Sequence, residues 1–377
     1  MTEIHSFASI DAKLGTLGGN IPAPRNLFIS AARLQNKAVK PREWVVDGLI
    51  PRGTVTLLGG DGGSGKSLLA MMLAVSVASS KECKWLHRLP DNGHAIYCGA
   101  EDDMDEMHRR LQSITEANFM NYTDLERLHV CSLAGQDALL AIDDPKTHKL
   151  MPTPLWGDIC AKVEETRPAL VIFDTLADLF GGNENDRSLA RQFIGILRGL
   201  AIQYQCAVVL LAHPSLSGLS SGTGTSGSTA WNNSVRSRLY VERVFSDGYE
   251  PDPNARKLSV KKANYGTTGE EIMMKWNEGV FEAEKPETGL DKMAHQAKAE
   301  RIFLRLLEEV SSQGRTVNPN GGSNYAPKIF AQMPDSEGVV KKAFSSAMER
   351  LLSKGTIKVH TDDSNKNREK KYLVRVS

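Results

Sequence analysis

Residues 54–70 read TVTLLGGDGGSGKSLLA, and this stretch decides the fold of the chain. It begins with a short apolar run, passes through a glycine-rich turn and continues into LLAMMLAVSVAS at residues 68–79. The first run predicts a buried strand over residues 54–58, and the second predicts an apolar helix. A strand followed by a glycine-rich turn and a helix is the opening unit of an α/β sheet.

The turn contains the pattern GxxxxGKS, from Gly60 to Ser67. Glycine is needed there because backbone N–H groups wrap around phosphates and a Cβ atom would block their approach. The positive end of the following helix points at the same phosphates. We expect Lys66 to reach the β- and γ-phosphates of ATP and Ser67 to bind Mg²⁺. The predicted nucleotide-binding residues are Gly60, Asp61, Gly62, Gly63, Ser64, Gly65, Lys66, Ser67 and Leu68.

Strands and helices then alternate as far as residue 212. Apolar runs predict strands at residues 95–99, 125–133, 169–173 and 207–212, and helical patterns lie at residues 102–114, 156–165 and 189–204. This alternation predicts an α/β fold, a doubly wound and mostly parallel sheet with helices on both faces. Two later segments, residues 238–244 and 256–262, are predicted to extend the sheet.

Polar side chains end three of the predicted strands. Asp174 follows the run ALVIF, where a carboxylate can hold the water shell of Mg²⁺. Glu101 follows AIYCG and is a candidate for orienting the attacking water, although Glu101, Asp102 and Asp103 equally suit the start of a helix. His213 follows AVVLLA, where it can contact the γ-phosphate or hydrogen-bond to the backbone.

The composition is that of an ordinary globular protein. Of 377 residues, 41% are hydrophobic and 24% are charged, and no window approaches the apolar length that spans a bilayer. The amino terminus lacks the pattern of a secretory signal. The five cysteines are scattered and form no CxxC pair, which predicts a reduced, cytoplasmic protein without a cysteine metal site.

The last part of the chain differs in pattern and in charge. Residues 291–377 contain 16 Lys and Arg against 10 Asp and Glu, whereas the rest of the chain is net negative. Helices are predicted at residues 292–311, 326–333 and 338–353, and a hairpin is predicted from residues 356–360 and 371–376. Three helices followed by a hairpin indicate a small winged-helix-like α+β domain.

A domain of this kind can bind DNA or protein. Its third helix would contact DNA through Lys341, Lys342 and Arg350, and its wing would carry a group of cations to the backbone. Those wing residues are Lys366, Arg368, Lys370 and Lys371. Winged helices also dock on proteins, so replication or recombination proteins remain alternative partners.

These patterns divide the chain into four parts. They are an N-terminal arm at residues 1–43 with a short predicted helix at 28–36, a core at 44–282, a polar linker at 283–291, and the winged-helix-like domain at 292–377.

Six segments together resemble one family. They are DGLIPRGTVTLLGGDGGSGKSLLA, YCGAEDD, LVIFDTLADL, CAVVLLAHPS, GSTAWNNSVRSRLYVER and LSVKKANYG. They are similar to the RecA-type AAA family ATPases related to the hexameric replicative DNA helicases of the plasmid RepA type. More distantly, they resemble DnaB helicases and RecA-like recombinases. The resemblance covers residues 44–282.

The resemblance implies a homo-oligomeric, hexameric ring that hydrolyses ATP at the interfaces between subunits. Glu101 matches the acid that activates water in this family, and His213 matches its γ-phosphate sensor.

The resemblance also implies that each subunit supplies a cation to its neighbour's phosphates. Arg236 and Lys262 match that role, and Arg238 and Lys261 lie near enough in sequence to leave each choice open. The alternative is that all four are solvated charges at strand ends.

RecA-type proteins hold single-stranded DNA in two loops, which correspond to residues 179–188 and 214–229. Arg187 is the only basic residue in either loop, and only Phe180 and Trp231 at their margins offer an aromatic ring. Contacts with DNA would then come from backbone N–H groups and hydroxyl groups. The alternative is a disordered surface loop.

The expected function is therefore a cytoplasmic, Mg²⁺-dependent ATPase that acts on DNA as a hexameric, replicative-type helicase of a plasmid, phage or other mobile element. Two alternatives stay open. One is a recombinase or mediator that coats single strands as a filament, and the other is a nucleotide-switched DNA-binding regulator.

Overall fold

The computed structural model describes residues 28–213, 229–245, 249–284, 289–362 and 370–376. In these ranges, no helix has the length and apolar character needed to cross a membrane. The strands are β1 (Trp44–Val46), β2 (Ile50–Pro51), β3 (Val55–Gly60), β4 (Ala95–Gly99), β5 (Leu128–Ser132), β6 (Ala141–Asp144), β7 (Lys149–Pro152), β8 (Leu170–Asp174), β9 (Phe180–Gly181), β10 (Ala207–Ala212), β11 (Ser237–Arg243), β12 (Ala255–Ala263), β13 (Glu271–Asn277), β14 (Val280–Ala283), β15 (Ile357–Asp362) and β16 (Lys370–Arg375). The α-helices are α1 (Lys66–Ala78), α2 (Met104–Ala117), α3 (Pro154–Thr166), α4 (Leu176–Leu179), α5 (Arg187–Tyr204), α6 (Thr229–Ser234), α7 (Gly289–Ser312), α8 (Ala326–Gln332) and α9 (Lys341–Ser353).

Among the described residues, nine strands form the central sheet, in the order β14-β13-β12-β11-β3-β10-β8-β4-β5. The strands from β11 to β5 pair in parallel, which confirms the predicted mostly parallel sheet. β12, β13 and β14 extend the sheet beyond β11 in antiparallel fashion. The sequence pattern does not predict β13 and β14, because only Met274, Val280 and Phe281 in them are buried.

Separate hydrophobic cores cover the two faces of the sheet. Side chains from α1 and α2 fill one core, and those from α3, α4, α5 and α6 fill the other. Successive strand residues alternate between them, so that Ile172 belongs to the first core and Phe173 to the second. The strands are therefore apolar throughout, as doubly covered parallel strands require.

A small three-stranded sheet, in the order β7-β6-β9, is absent from the sequence prediction. β6 and β7 form a hairpin, and β6 also pairs in parallel with β9. The predicted loop at residues 179–188 is therefore wrong at both ends, because Phe180 and Gly181 are a strand and α5 begins at Arg187. Asp186 caps α5 by accepting hydrogen bonds from the backbone N–H groups of Ser188 and Leu189.

The C-terminal part has the predicted order of three helices followed by an antiparallel hairpin. Its apolar side chains, among them Phe303, Phe330 and Phe344, form a core of their own. α9 begins at Lys341 and not at residue 338, because Gly338 has a φ of +76° and Val340 is extended. Residues 363–369 lie outside the described part, and with them the predicted wing cations Lys366 and Arg368.

The described end of the N-terminal arm lies on the surface. A single 3₁₀ turn, Ala31–Leu34, stands where a longer helix is predicted at residues 28–36. Its residues are all exposed, and so are Phe28 and Val39. A longer helix here would have no buried apolar face to stabilise it. Residues 1–27 of the predicted arm are outside the described residues.

Candidate active site

The phosphate loop, residues 60–67, connects β3 to α1 at the carboxyl edge of the parallel strands. A Cβ atom on Gly60 would lie 2.5 Å from the carbonyl oxygen of Val241 on β11. Gly65 has a φ of +90°, and a Cβ atom there would overlap the ring of Phe281 on β14. The packing of neighbouring strands therefore imposes glycine at these two positions, in addition to the demands of a phosphate ligand.

The loop presents hydrogen-bond donors at the start of α1. The first backbone hydrogen bond of the helix joins the N–H of Leu69 to the carbonyl of Gly65 at 3.0 Å, so the amides of residues 66–68 precede it. These amides and the helix dipole attract anions. Among the described residues, the buried hydroxyl of Ser64 has no hydrogen-bond partner. The cradle therefore fits a phosphate chain.

The side chain of Lys66 folds back over the loop. Its Nζ atom donates hydrogen bonds to the carbonyl oxygens of Gly60 at 2.8 Å and Asp61 at 3.0 Å, and it lies 3.2 Å from Nδ1 of His213. Burial lowers the pKa of Lys66, and nearby carboxylates, first that of Asp174, oppose this shift. The three neighbours match the three protons of an ammonium group.

His213 lies between Lys66 and Glu101. Because an ammonium group can only donate, Nδ1 of His213 accepts from Lys66 and the ring proton is on Nε2. Nε2 faces the carboxylate of Glu101, 3.8 Å from Oε1. Lys66 at the start of α1, His213 after β10 and Glu101 after β4 are all predicted for the site, and they form one line of polar contacts.

The three acids after β4 have different surroundings. Asp103 caps α2 by accepting a backbone hydrogen bond of 2.8 Å from its first turn. Asp102 pairs with Arg110 at 2.5 Å. The side chain of Glu101 is 55% exposed and faces His213. The helix-starting role that the sequence left open therefore belongs to Asp103, and Glu101 is available to a ligand.

Asp174 ends β8 with its carboxylate buried. Tyr97 of β4 donates its hydroxyl to Oδ2 of Asp174 at 2.6 Å, and the hydroxyl of Ser67 also bonds to this carboxylate. Burial raises the pKa of Asp174, and the two hydrogen bonds oppose the rise. Sequence reasoning missed Tyr97, because a tyrosine inside the apolar run AIYCG indicates only a core residue.

A depression of about 470 Å³ opens beside the phosphate loop. Residues 65–68 line one end, and Arg109 of α2 and Trp276 of β13 line the other parts of it. The ring of Trp276 is 42% exposed. An indole and a guanidinium are both groups that stack on a nucleobase. Neither is found by sequence reasoning, since β13 itself is not predicted.

Comparison with known protein families matches the part of the chain that contains the phosphate loop. A family model described as an AAA domain matches residues 22–218, just over half of the chain. The chain belongs to the AAA domain family. The predicted membership of the AAA family is confirmed, and the matched range includes the phosphate loop, Glu101, Asp174 and His213.

Among solved structures, the AAA domain protein aligns with the crystal structure of the RadB recombinase. The two chains are 15% identical with a TM-score of 0.43, and the alignment covers 63% of this chain and 93% of the other.

Two further contacts hold the phosphate loop of the AAA domain. The hydroxyl of Tyr240 on β11 donates to Oδ1 of Asp61 at 2.6 Å. Arg256 on β12 is almost fully buried and donates from Nε to the carbonyl of Ser64 at 3.2 Å. Sequence reasoning missed both residues, because they lie in strands far along the chain from the loop.

Ser67 and Asp174 fit a magnesium ion. Their hydroxyl and carboxylate groups are already in hydrogen-bond contact, and both are oxygen ligands of the kind that Mg²⁺ prefers. Tyr97 holds the other side of the carboxylate, which orients it.

The predicted trans-acting residues lie away from the phosphate loop of their own chain. In the register of β11 with β3, Ser237 pairs with Thr56 and Val241 with Gly60. Arg236 precedes Ser237, so at about 3.3 Å per residue it is more than about 13 Å from Gly60. It cannot serve the nucleotide bound by its own chain without a large movement.

The four candidate cations differ in their surroundings. Lys262 donates to the backbone carbonyls of Asn232 at 2.9 Å and Asn233 at 3.2 Å. Burial, and then the charges of Arg236 and Arg238, lower the pKa of Lys262. Lys262 and Arg236 are therefore neighbours in one positively charged group.

The other two cations are placed differently. Arg238 is buried, and its guanidinium lies 5.8 Å from the ring centroid of Tyr240. Lys261 lies 3.9 Å from the carboxylate of Glu242, away from that group. Of the four cations, Arg238 is therefore the least accessible, Arg236 and Lys262 are half-buried, and Lys261 is exposed.

The aromatic rings at the margins of the predicted DNA loops belong to the core. Phe180 is buried against Phe193 and Trp231, with ring centroids 5.2 and 5.1 Å apart. They are therefore not available for base stacking. Arg187 is exposed at the start of α5. Residues 214–228 of the second loop are outside the described residues.

Proposed function

We propose that this AAA domain protein is an Mg²⁺-dependent ATP hydrolase that acts on DNA as a hexameric, replicative-type helicase of a plasmid, phage or other mobile element. The contact line from Lys66 through His213 to Glu101 supports the ATPase role most directly. In this line an ammonium group, an imidazole and an exposed carboxylate lie beside a loop whose geometry fits phosphates.

In this proposal each residue has one task. Amides of the phosphate loop and Lys66 bind the β- and γ-phosphates, and Glu101 orients the attacking water and accepts its proton. His213 exchanges its contact with Lys66 for one with the γ-phosphate, and so registers whether that phosphate is present. Ser67 and Asp174 hold Mg²⁺, which when bound neutralises charge on the phosphates.

The depression beside the loop provides a place for the nucleobase. Arg109 and the exposed ring of Trp276 line this depression, and both groups are of a kind that stacks on a base.

Assembly into a ring completes the site. Arg236 and Lys262 lie toward the edge of the sheet opposite Gly60, where they can reach the phosphates bound by a neighbouring subunit. The exposed apolar residues of the arm, Phe28, Ile29, Leu34 and Val39, are suited to pack on that neighbour.

One observation favours the regulator as a second candidate. Within residues 179–188, the single cation Arg187 and the absence of an exposed aromatic ring leave little to grip single-stranded DNA. A protein that switches with nucleotide but does not translocate needs no such grip.

ATP hydrolysis measured with and without single-stranded DNA tests the proposal, with Lys66→Ala as the inactive reference. Stimulation of the wild type supports a DNA motor, and strand displacement then separates a helicase from a filament-forming mediator. No stimulation at any salt concentration would exclude both motors and leave the regulator.

The last two proposals concern the domain division and the cellular location. We retain the division into an arm at residues 1–43, a core at 44–282, a linker at 283–291 and a winged-helix-like domain at 292–377. We also place the protein in the cytoplasm, on the basis of its scattered cysteines.

A further inference from the structure

Five cations of the C-terminal part are paired with acids. Glu337 bonds to two arginines, Glu300 to an arginine and a lysine, and Glu308 to an arginine. These pairs are Arg301 and Arg305 with Glu337, Arg350 and Lys354 with Glu300, and Arg375 with Glu308. Arg350, which the sequence predicts to contact DNA, is therefore engaged within the protein.

Four exposed lysines of this part, Lys328, Lys341, Lys342 and Lys358, form no ion pair or side-chain hydrogen bond among the described residues, and the first three line one surface. Lys328 is on the first turn of α8, and Lys341 and Lys342 form the first turn of α9. The charges of these three lysines are therefore directed at solvent.

The three lysines line one concave surface that is formed by α8, the turn after it and α9, together with Phe245, which follows β11. Among the described residues that line this surface, none is acidic, although Glu337 lies in the same turn. Glu337 is held away by Arg301 and Arg305 on α7. Because the paired cations and the unpaired lysines lie on different parts of the domain, positive potential is concentrated on the edge formed by the amino-terminal ends of α8 and α9.

The form of this edge suits a duplex. Beyond Lys342, the exposed residues of α9 begin with Ser346, whose small side chain allows close approach. The positive end of α9 is on the same edge and adds to the attraction for phosphates. A helix presented in this way can enter a major groove while lysines on both sides of its start contact the backbone.

We propose that Lys328, Lys341 and Lys342 form a binding surface for the phosphate backbone of duplex DNA. The surface is independent of the nucleotide site, and its role does not depend on whether the core is a helicase. It would hold the double-stranded part of a DNA substrate while the core acts on ATP.

Fluorescence anisotropy of the full-length protein with a labelled blunt duplex, without nucleotide and over a series of KCl concentrations, tests this proposal. The variant is Lys328→Gln, Lys341→Gln, Lys342→Gln. The slope of log K against log salt should fall by about 3, because each phosphate contact contributes about 0.9. The ATPase rate without DNA should stay unchanged, since the lysines are remote from the phosphate loop.

The matched control is Arg301→Gln, Lys354→Gln, Arg375→Gln, which removes the same charge from paired positions of the same domain. It should retain the wild-type slope. Thermal unfolding of both variants shows whether either has lost its fold, and single substitutions at Lys341 and Lys342 replace the triple variant if it has.

Three results would overturn the proposal. The first is an equal decrease of the salt-dependence slope in the variant and in the control. The second is that the wild-type protein does not bind the duplex. The third is that polyglutamate displaces the labelled duplex at a lower concentration than unlabelled duplex of equal charge does. The last result would assign the lysines to an acidic protein partner. A failure of ATPase stimulation by single-stranded DNA would contradict the helicase proposal without affecting this one.

Discussion

The Nζ atom of Lys66 and the Nδ1 atom of His213 are 3.2 Å apart, so a hydrogen bond joins the lysine of the phosphate loop to the residue that follows β10. Lys66 also bonds to two carbonyl oxygens of its own loop. A γ-phosphate that accepts a hydrogen bond from Lys66 must compete with these three acceptors. Of the three, only His213 lies outside the phosphate loop. We therefore expect nucleotide binding to be coupled to the end of β10.

We expect substitution of His213 to affect hydrolysis more than binding. His213→Ala should bind ATP within a few-fold of the wild type but lose at least about tenfold of the DNA-stimulated rate, since a lost donor to developing charge costs about that much or more. His213→Asn, whose amide oxygen can still accept from Lys66, should bind like the wild type. Equilibrium binding of a fluorescent ATP analogue and steady-state hydrolysis give the two quantities. Equal stimulation in all three proteins would remove His213 from the sensing role.

Glu101→Gln should lower kcat by about 10²–10⁴ and leave ATP affinity nearly unchanged, because an amide cannot accept the proton of the attacking water. Asp103→Asn is the matched control. It removes the same charge two residues away, and asparagine also caps a helix. Single-turnover hydrolysis measures the effect. Full activity of Glu101→Gln would show that another group activates the water.

Gly60→Ala should abolish or strongly weaken ATP binding, because the added Cβ atom would lie 2.5 Å from the backbone of β11 and must displace the loop. Gly195→Ala is a suitable control. It is on the exposed side of α5 with nothing within 4 Å of the new atom, and it should raise the free energy of unfolding by up to about 1 kcal/mol. Calorimetric titration with ATP and chemical denaturation measure the two effects.

Mixing two inactive variants tests the shared site. Lys66→Ala lacks a phosphate-binding residue, and Arg236→Ala lacks the proposed trans-acting cation. Mixed rings contain some interfaces with an intact Lys66 on one side and an intact Arg236 on the other, so hydrolysis should return in part. Lys261→Ala, which removes a cation that faces Glu242, should remain active by itself. Failure of every mixing ratio to restore activity would place Arg236 in its own chain's function.

Cys131 should react with iodoacetamide faster than Cys160 near neutral pH. A hydrogen bond from Cys98 lowers the pKa of Cys131 to about 7, whereas burial raises the pKa of Cys160. Since the thiolate is the reactive form, the rate at Cys131 should rise with pH through about 7. Mass spectrometry of alkylated peptides measures both sites in one sample. In Cys98→Ala, which removes this donor, Cys131 should react more slowly, and an unchanged rate would attribute the difference between the two cysteines to exposure alone.

Much of the core could be predicted because its signals are local. The apolar runs of β3, β4, β8 and β10 are buried on both faces, and the GxxxxGKS turn follows directly from one of them. The antiparallel edge β13–β14 and the small sheet β7-β6-β9 could not be predicted in this way. Their strands are short and bury few side chains, so their pairing depends on neighbours distant in sequence.

The sequence by itself determined the doubly wound sheet, the phosphate loop and the strand ends where polar residues gather, because these depend on residue type and on periods of a few residues. Only the tertiary structure decided which polar residues meet. It assigned Asp103 to the helix cap and turned Glu101 toward His213, brought Tyr97 to Asp174 and Arg256 to the loop, and buried Phe180 and Trp231. These outcomes depend on strand order and on packing between distant segments, which no local pattern encodes.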